Sequence, residues 1–179
     1  RERFGYVDQC PYQGRRIFFE NAGGALTLKS VVQCSQELAK VPDNQGRDNP
    51  ASHELVNIIN QAKENTRAFL GAADGPIFVG ESGTELLFRI ISAAILGVSK
   101  GSDVVGSTLE HPASVSASIR WAEIGQCQYI SVPHNDETGS VTADDYRAYV
   151  TKNTRVATIL HTSPVTGISV DVKAIAKAI

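Results

Sequence analysis

From position 76 onward, apolar and polar residues follow two alternating patterns. Short runs rich in β-branched and aromatic residues stand at 77–79, 103–107, 128–132 and 155–160, and each reads as a strand. Longer segments with helical spacing follow them at 84–96, 112–124, 143–150 and 172–179. Strict alternation of this kind predicts an α/β fold, an open and mostly parallel sheet flanked by helices. Upstream the pattern is weaker. Residues 1–27 read as an irregular arm with one short apolar piece, Ile17-Phe18-Phe19. A helix is expected from Thr27-Leu28-Lys29 to about Lys40 and another near 52–70, with the polar, turn-rich stretch 42–50 as a linker between them. Two parts result, the arm 1–27 and an α/β domain over 28–179. The last helix, "SVDVKAIAKAI", stops in mid-pattern without a stop signal, so the expectation is the first part of a longer chain.

One helix departs from the amphipathic norm. In "IFVGESGTELLFRIISAAILG" the apolar residues cover nearly every face, interrupted by Arg89 and Ser92. A helix that is apolar all round is usually buried, so its start should lie inside the fold, beside the end of the first strand. Composition adds mainly exclusions. A net charge of −2 with no basic block argues against nucleic acid or an anionic membrane as partner. The apolar run 86–98 is too short to cross a bilayer and carries Arg89, and the N-terminus leads into no apolar signal segment. Cys10, Cys34 and Cys127 are odd in number and lack metal-ligand spacing, so they read as reduced thiols of a cytoplasmic protein with no metal site.

In open α/β sheets ligands bind beyond the carboxyl ends of the strands, and three strands end in chemistry-bearing residues. Ser82-Gly83-Thr84-Glu85 has the spacing of a capping box, in which Ser82 and Glu85 satisfy reciprocal backbone amides. The same residues suit a phosphate seat: Gly83 lets a ligand approach the backbone, Thr84 offers a hydroxyl, and the helix N-terminus favours an anion. The stretch matches neither the dinucleotide nor the nucleoside triphosphate glycine motif. His111 precedes Pro112, which suits a first helical turn, so His111 is either a helix cap or an imidazole facing a planar ligand. His161 reads as a structural histidine, and His134, within "VPHNDETGS", as a solvent-exposed turn residue.

The order and spacing of "FFENAGGAL", "GESGTE", "LEHPASVSASIRW" and "ATILHTSPVTGISVDV" resemble the class V aminotransferase branch of the fold-type-I pyridoxal-phosphate enzymes. That branch includes cysteine desulfurases, selenocysteine lyases and isopenicillin N epimerase. The resemblance implies an incomplete fold-type-I large domain and pyridoxal 5'-phosphate as cofactor. It places Gly83 and Thr84, with Ser82 beside them, at the cofactor phosphate. His111 aligns with the histidine that stacks on the pyridine ring and moves protons, and Asn21, Ala22 and Gly23 with the segment bordering the substrate. Pro164 departs from the Asn found in many desulfurases; it has no donor for the ring hydroxyl, so Ser163 or Thr166 must substitute. That shifts the expectation toward epimerase-like or aminotransferase-like members.

The family's ring-nitrogen Asp and Schiff-base Lys come later than this sequence reaches, and Lys29, Lys40, Lys63, Lys100, Lys152, Lys173 and Lys177 read as solvated surface charges. For the intact protein the resemblance implies a PLP-dependent transferase or lyase acting on a small amino acid through an external aldimine. It also implies a homodimer; the polar, turn-rich stretch 44–53 is either a plain surface loop or the surface facing the partner, with residues 49–53 near the partner's cofactor. Two other readings stay open: a nucleotide-binding Rossmann-type module seated at 80–84, and a catalytically incomplete fragment.

Overall fold

Polar punctuation cuts the early chain into short pieces. The computed structural model describes residues 1–41, 45–164 and 166–179, and divides into two units, Arg1–Phe78 and Val79–Ile179. In the first unit, Gly14 adopts a φ of +77° that an L side chain rarely takes, and so closes an antiparallel pair of β1 (Gln9–Cys10) and β2 (Gly14–Arg15). A single helical turn, α1 (Asn21–Gly24), follows, so the arm is less irregular than the sequence suggests. Phe4 bridges Leu28, and the Lys29 amide donates to the Arg3 carbonyl (2.9 Å) where α2 (Lys29–Leu38) begins.

The next helix, α3 (Pro50–Leu70), starts two residues before the expected 52. Asn49 caps it, its side chain accepting from the Ser52 amide (2.9 Å), and Pro50 occupies the first turn, where its missing N–H costs nothing. Gly71, at a φ of +65°, ends it in the left-handed conformation. Of the expected linker, Pro42, Asp43 and Asn44 lie outside the described residues.

The second unit holds α4 (Gly83–Leu96), β3 (Asp103–Ser107), α5 (Pro112–Gly125), β4 (Gln128–Val132), α6 (Ala143–Tyr149), β5 (Thr154–Ala157) and α7 (Val172–Ala178). The sheet runs β4-β3-β5 and both pairings are parallel, so the expected α/β alternation is borne out. The chain passes from β3 through α5 to β4 on one side, then through α6 back to β5 on the other.

Period-two alternation in β3 decides which helices cover which face. Val104 packs with Ile91 and Ile95 of α4 and Ala117 and Ala122 of α5. Val105 packs with Tyr146 of α6 and Ile175 of α7. Both valines are fully buried, each worth about 1.5–3 kcal/mol of hydrophobic stabilisation. Gly106 lies on the Val104 face, where a Cβ would meet Thr158 Oγ1 at 2.5 Å and the Tyr129 hydroxyl at 2.9 Å, so the strand needs glycine there.

Two expectations fail. Residues 77–79 form no strand, and Phe78 and Val79 are largely exposed. A β-prone run becomes a strand only by hydrogen bonding to a neighbour, and no described residue pairs with this one. Nor is α4 buried all round: Ile91 and Ile95 are buried, but Ile90 is 67% and Leu96 55% exposed. The sheet and α5 cover one stripe of the helix.

Candidate active site

Three chain segments bring polar groups to element ends in the second unit. The first is the N-terminus of α4. Ser82 is its cap, with extended backbone and a hydroxyl that accepts from the Glu85 amide (3.2 Å). Glu85 does not return the bond to Ser82 as a capping box requires; its carboxylate accepts from the Glu81 amide (2.9 Å) and pairs with Arg89 (2.7 Å). The amides of Gly83 and Thr84, the first two of the helix, are left without a partner among the described residues. Thr84 is exposed, its hydroxyl has no partner among the described residues, and nothing among them lies within 4 Å of where a Gly83 Cβ would stand. The helix end is therefore open to an anion, and pairing with Arg89 takes up part of the negative charge of Glu85.

The second segment leaves β3. The proline at 112 drives His111 to extended backbone (φ −59°, ψ 141°), which places it as the cap of α5. Its Nδ1 accepts from the Ala113 amide (3.1 Å). An accepting Nδ1 puts the ring proton of a neutral imidazole on Nε2. The capping reading of His111 is thus observed, and the ring remains exposed, with Nε2 uncommitted among the described residues.

The third segment leaves β5. The Ser163 side chain is 2% exposed and accepts from the Thr166 amide (3.2 Å), while the Ser163 amide donates to the Ile168 carbonyl (2.9 Å). Ser163 thus builds the turn. Thr166 is exposed, and its hydroxyl accepts a long bond from the Ile168 amide (3.4 Å). Pro164 is exposed in the same turn. His161 is exposed and sits 3.4 Å from the Thr162 hydroxyl.

What joins the second and third segments is a residue that the sequence marks at a strand end but to which it gives no role. Glu110, next to His111, accepts from the Ser114 hydroxyl (2.9 Å) with one oxygen and from the Leu160 amide (2.6 Å) with the other. Burial pushes its carboxyl above the ordinary value, and those two hydrogen bonds pull it part of the way back. The signal was an acidic residue at the end of a strand, in "STLEHPA", which needs partners once buried.

His134 also differs from expectation. It is only partly exposed: its amide donates to Thr108 Oγ1 (2.9 Å), which leaves the Thr108 hydroxyl hydrogen for His134 Nδ1 (2.6 Å). Asn21, Ala22 and Gly23 belong to the first unit, where they form the exposed turn α1. The lysines are exposed apart from the half-buried Lys63. No described residues form a cluster of His, Cys, Asp and Glu able to hold a metal ion, and no helix of the described residues is long and apolar enough to cross a membrane.

These features define an α/β protein that carries an open helix N-terminus, a capped imidazole and a hydroxyl-bearing turn at the ends of separate elements. The family model for aminotransferase class-V matches residues 17–179, and the chain belongs to that family. The cysteine desulfurase-like protein ustD of Aspergillus flavus is 26% identical over 164 residues, covering 86% of this chain and 36% of that protein. The apo structure of a cysteine desulfurase from Thermococcus onnurineus NA1 superposes with a TM-score of 0.79 at 20% identity, over 90% of this chain and 40% of that one. A mutant of C-DES with glycine covalently linked to its PLP cofactor superposes at 0.77 with 15% identity, over 96% of this chain and 45% of that one. The chain therefore spans less than half the length of these proteins.

Proposed function

We propose that the intact protein binds pyridoxal 5'-phosphate and uses it to transform a small α-amino acid. The observation that carries this reading is the open start of α4, with two unpartnered amides, an exposed Thr84 hydroxyl and clear space over Gly83. These groups suit a phosphate dianion, for which charge-assisted bonds are the strong ones. Family membership and the cofactor in C-DES support the choice of ligand.

On this reading Gly83 and Thr84 hold the phosphate, Ser82 keeps the turn in shape through its bond to Glu85, and His111 faces the ring. Once bound, the cofactor supplies an electron-withdrawing ring that stabilises negative charge at the substrate Cα. The His111 imidazole keeps Nδ1 on the helix and presents Nε2, which fixes one position from which a proton is given or taken. Thr166, exposed where Ser163 is buried, is the better placed of the two hydroxyls to meet the cofactor's ring hydroxyl.

A visible spectrum of the full-length protein, followed by titration with nucleotides, tests the reading. A yellow chromophore without nucleotide affinity supports it; tight nucleotide binding by a colourless protein overturns it in favour of a nucleotide-binding module.

We also propose a cytoplasmic homodimer. Tyr12 and Phe19 in the first unit are about nine-tenths exposed, and such side chains gain from cover by a partner. Residues 49–53, the built cap of α3, are then close to the partner's cofactor. Light scattering at micromolar concentration that gives a catalytically active monomer excludes the dimer.

A further inference from the structure

Glu110 is 9% exposed and shares its walls with apolar side chains, among them Leu87, Ile91, Val156 and Ile159. A carboxyl group in such a place is costly unless its oxygens are bonded. Both are, and each bond goes to a different part of the chain. One oxygen accepts from Ser114 in the first turn of α5, four residues away. The other accepts from the Leu160 amide just past β5, fifty residues away. Beyond Ala157, the Thr158 amide still donates to the Val105 carbonyl (2.8 Å), but at Leu160 the Glu110 carboxylate takes the place of a sheet partner. His111 is the neighbouring residue, and the hydrogen bond of its ring within the described residues is accepted from the Ala113 amide of that same first turn. The imidazole therefore moves with a turn whose tie to β5 is the Glu110 bridge.

We propose that Glu110 is a positioning residue: by bridging Ser114 and Leu160 it sets where the His111 imidazole stands relative to the chain leaving β5. The proposal rests on the reading that His111 faces a bound pyridoxal phosphate. A carboxylate suits the task because it accepts two bonds at once, along two directions. An apolar residue of similar size would fill the space and leave the Leu160 amide without its partner.

The test compares full-length wild type with Glu110→Ala, Glu110→Asp and Glu110→Gln. Alanine removes both bonds. Aspartate keeps the charge but is one methylene too short to span them. Glutamine keeps the carbonyl for Leu160 and offers an amide that the Ser114 hydroxyl accepts. Two readouts apply: visible circular dichroism of the protein loaded with pyridoxal phosphate, and the His111 ring-nitrogen shifts by NMR in the cofactor-free protein. The expected result is altered dichroism and shifted ring nitrogens for alanine and aspartate, with kcat down about 100-fold as for a misplaced catalytic group. KM should change little, and glutamine should restore all of these. Where alanine fails to fold, aspartate carries the comparison. Aspartate with wild-type dichroism, ring shifts and kcat overturns the positioning role, as does glutamine behaving like alanine. A wild type that shows no cofactor band overturns the cofactor reading itself, and this proposal with it.

Discussion

Replacing His111 by alanine and by asparagine separates the capping job seen in the structure from the cofactor-facing job proposed for the same side chain. Nδ1 caps α5 through the Ala113 amide, and the exposed ring is the candidate cofactor contact. Alanine removes both. Loss of an N-cap acceptor costs about 0.5–2 kcal/mol, so cofactor-free His111→Ala should unfold earlier in urea by roughly that amount. Asparagine is among the best N-caps, so His111→Asn should match wild-type stability to within a few tenths of a kcal/mol. Cofactor affinity is a separate quantity. Losing a stacked aromatic ring, worth about 0.5–1.5 kcal/mol, weakens pyridoxal phosphate binding roughly 2- to 13-fold in either variant. Turnover should fall further, about 10²–10⁴-fold, if the imidazole transfers a proton. Urea denaturation, a cofactor titration and steady-state rates on the three proteins give all the quantities needed. If His111→Asn binds cofactor and turns over like wild type, the histidine is a cap alone and the catalytic assignment is wrong.

Two further outcomes follow from the same geometry. Thr84→Ala should weaken cofactor binding about 10- to 150-fold, the equivalent of a charge-assisted bond of roughly 1.5–3 kcal/mol; the cofactor-free protein should melt as before, because Ser82 still accepts from Glu85. A variant that melts early yet binds normally would show that Thr84 serves the helix. Glu110 gives a pH dependence. Burial raises its folded-state value above the 4.5 of a free carboxyl, so the folded chain keeps a proton that the unfolded chain has released. That contribution is fully present below the unfolded value and is lost as pH rises through the folded one. Denaturation of wild type and Glu110→Gln, compared from about pH 4 to pH 7, should show the wild type losing ground steadily. A difference independent of pH contradicts the assignment.

How far the sequence carried depends on whether the partner of each residue lies nearby in the chain. The α/β alternation was legible because strands at 103–107 and 128–132 are short apolar runs separated by clear helical spacing, and both form at the expected bounds. The His111 cap was legible because it depends on its own backbone and the proline that follows. The run at 77–79 was misread because strand formation depends on a pairing edge, which composition does not encode. The burial of α4 was overestimated for the same reason: periodicity reports which faces are apolar, and only packing reports which are covered. The role of Glu110 escaped because one of its partners, the Leu160 amide, is brought in from fifty residues away by the parallel crossover through α6. His134 was taken for a solvated turn because Thr108, which holds it, lies on a different strand end.

The central claim is that this chain contributes to a pyridoxal-phosphate site, and covalent capture of the cofactor tests it most directly. The full-length protein is purified, reduced with borohydride, digested and mapped by mass spectrometry. The account predicts one pyridoxyl-lysine at a lysine other than the seven in residues 1–179, six of which are exposed and one half-buried. It also predicts that Thr84→Ala lowers the yield of that peptide when the cofactor is limiting. A full-length protein that yields no pyridoxyl-lysine contradicts the account, and so does a pyridoxyl group found on any of those seven lysines.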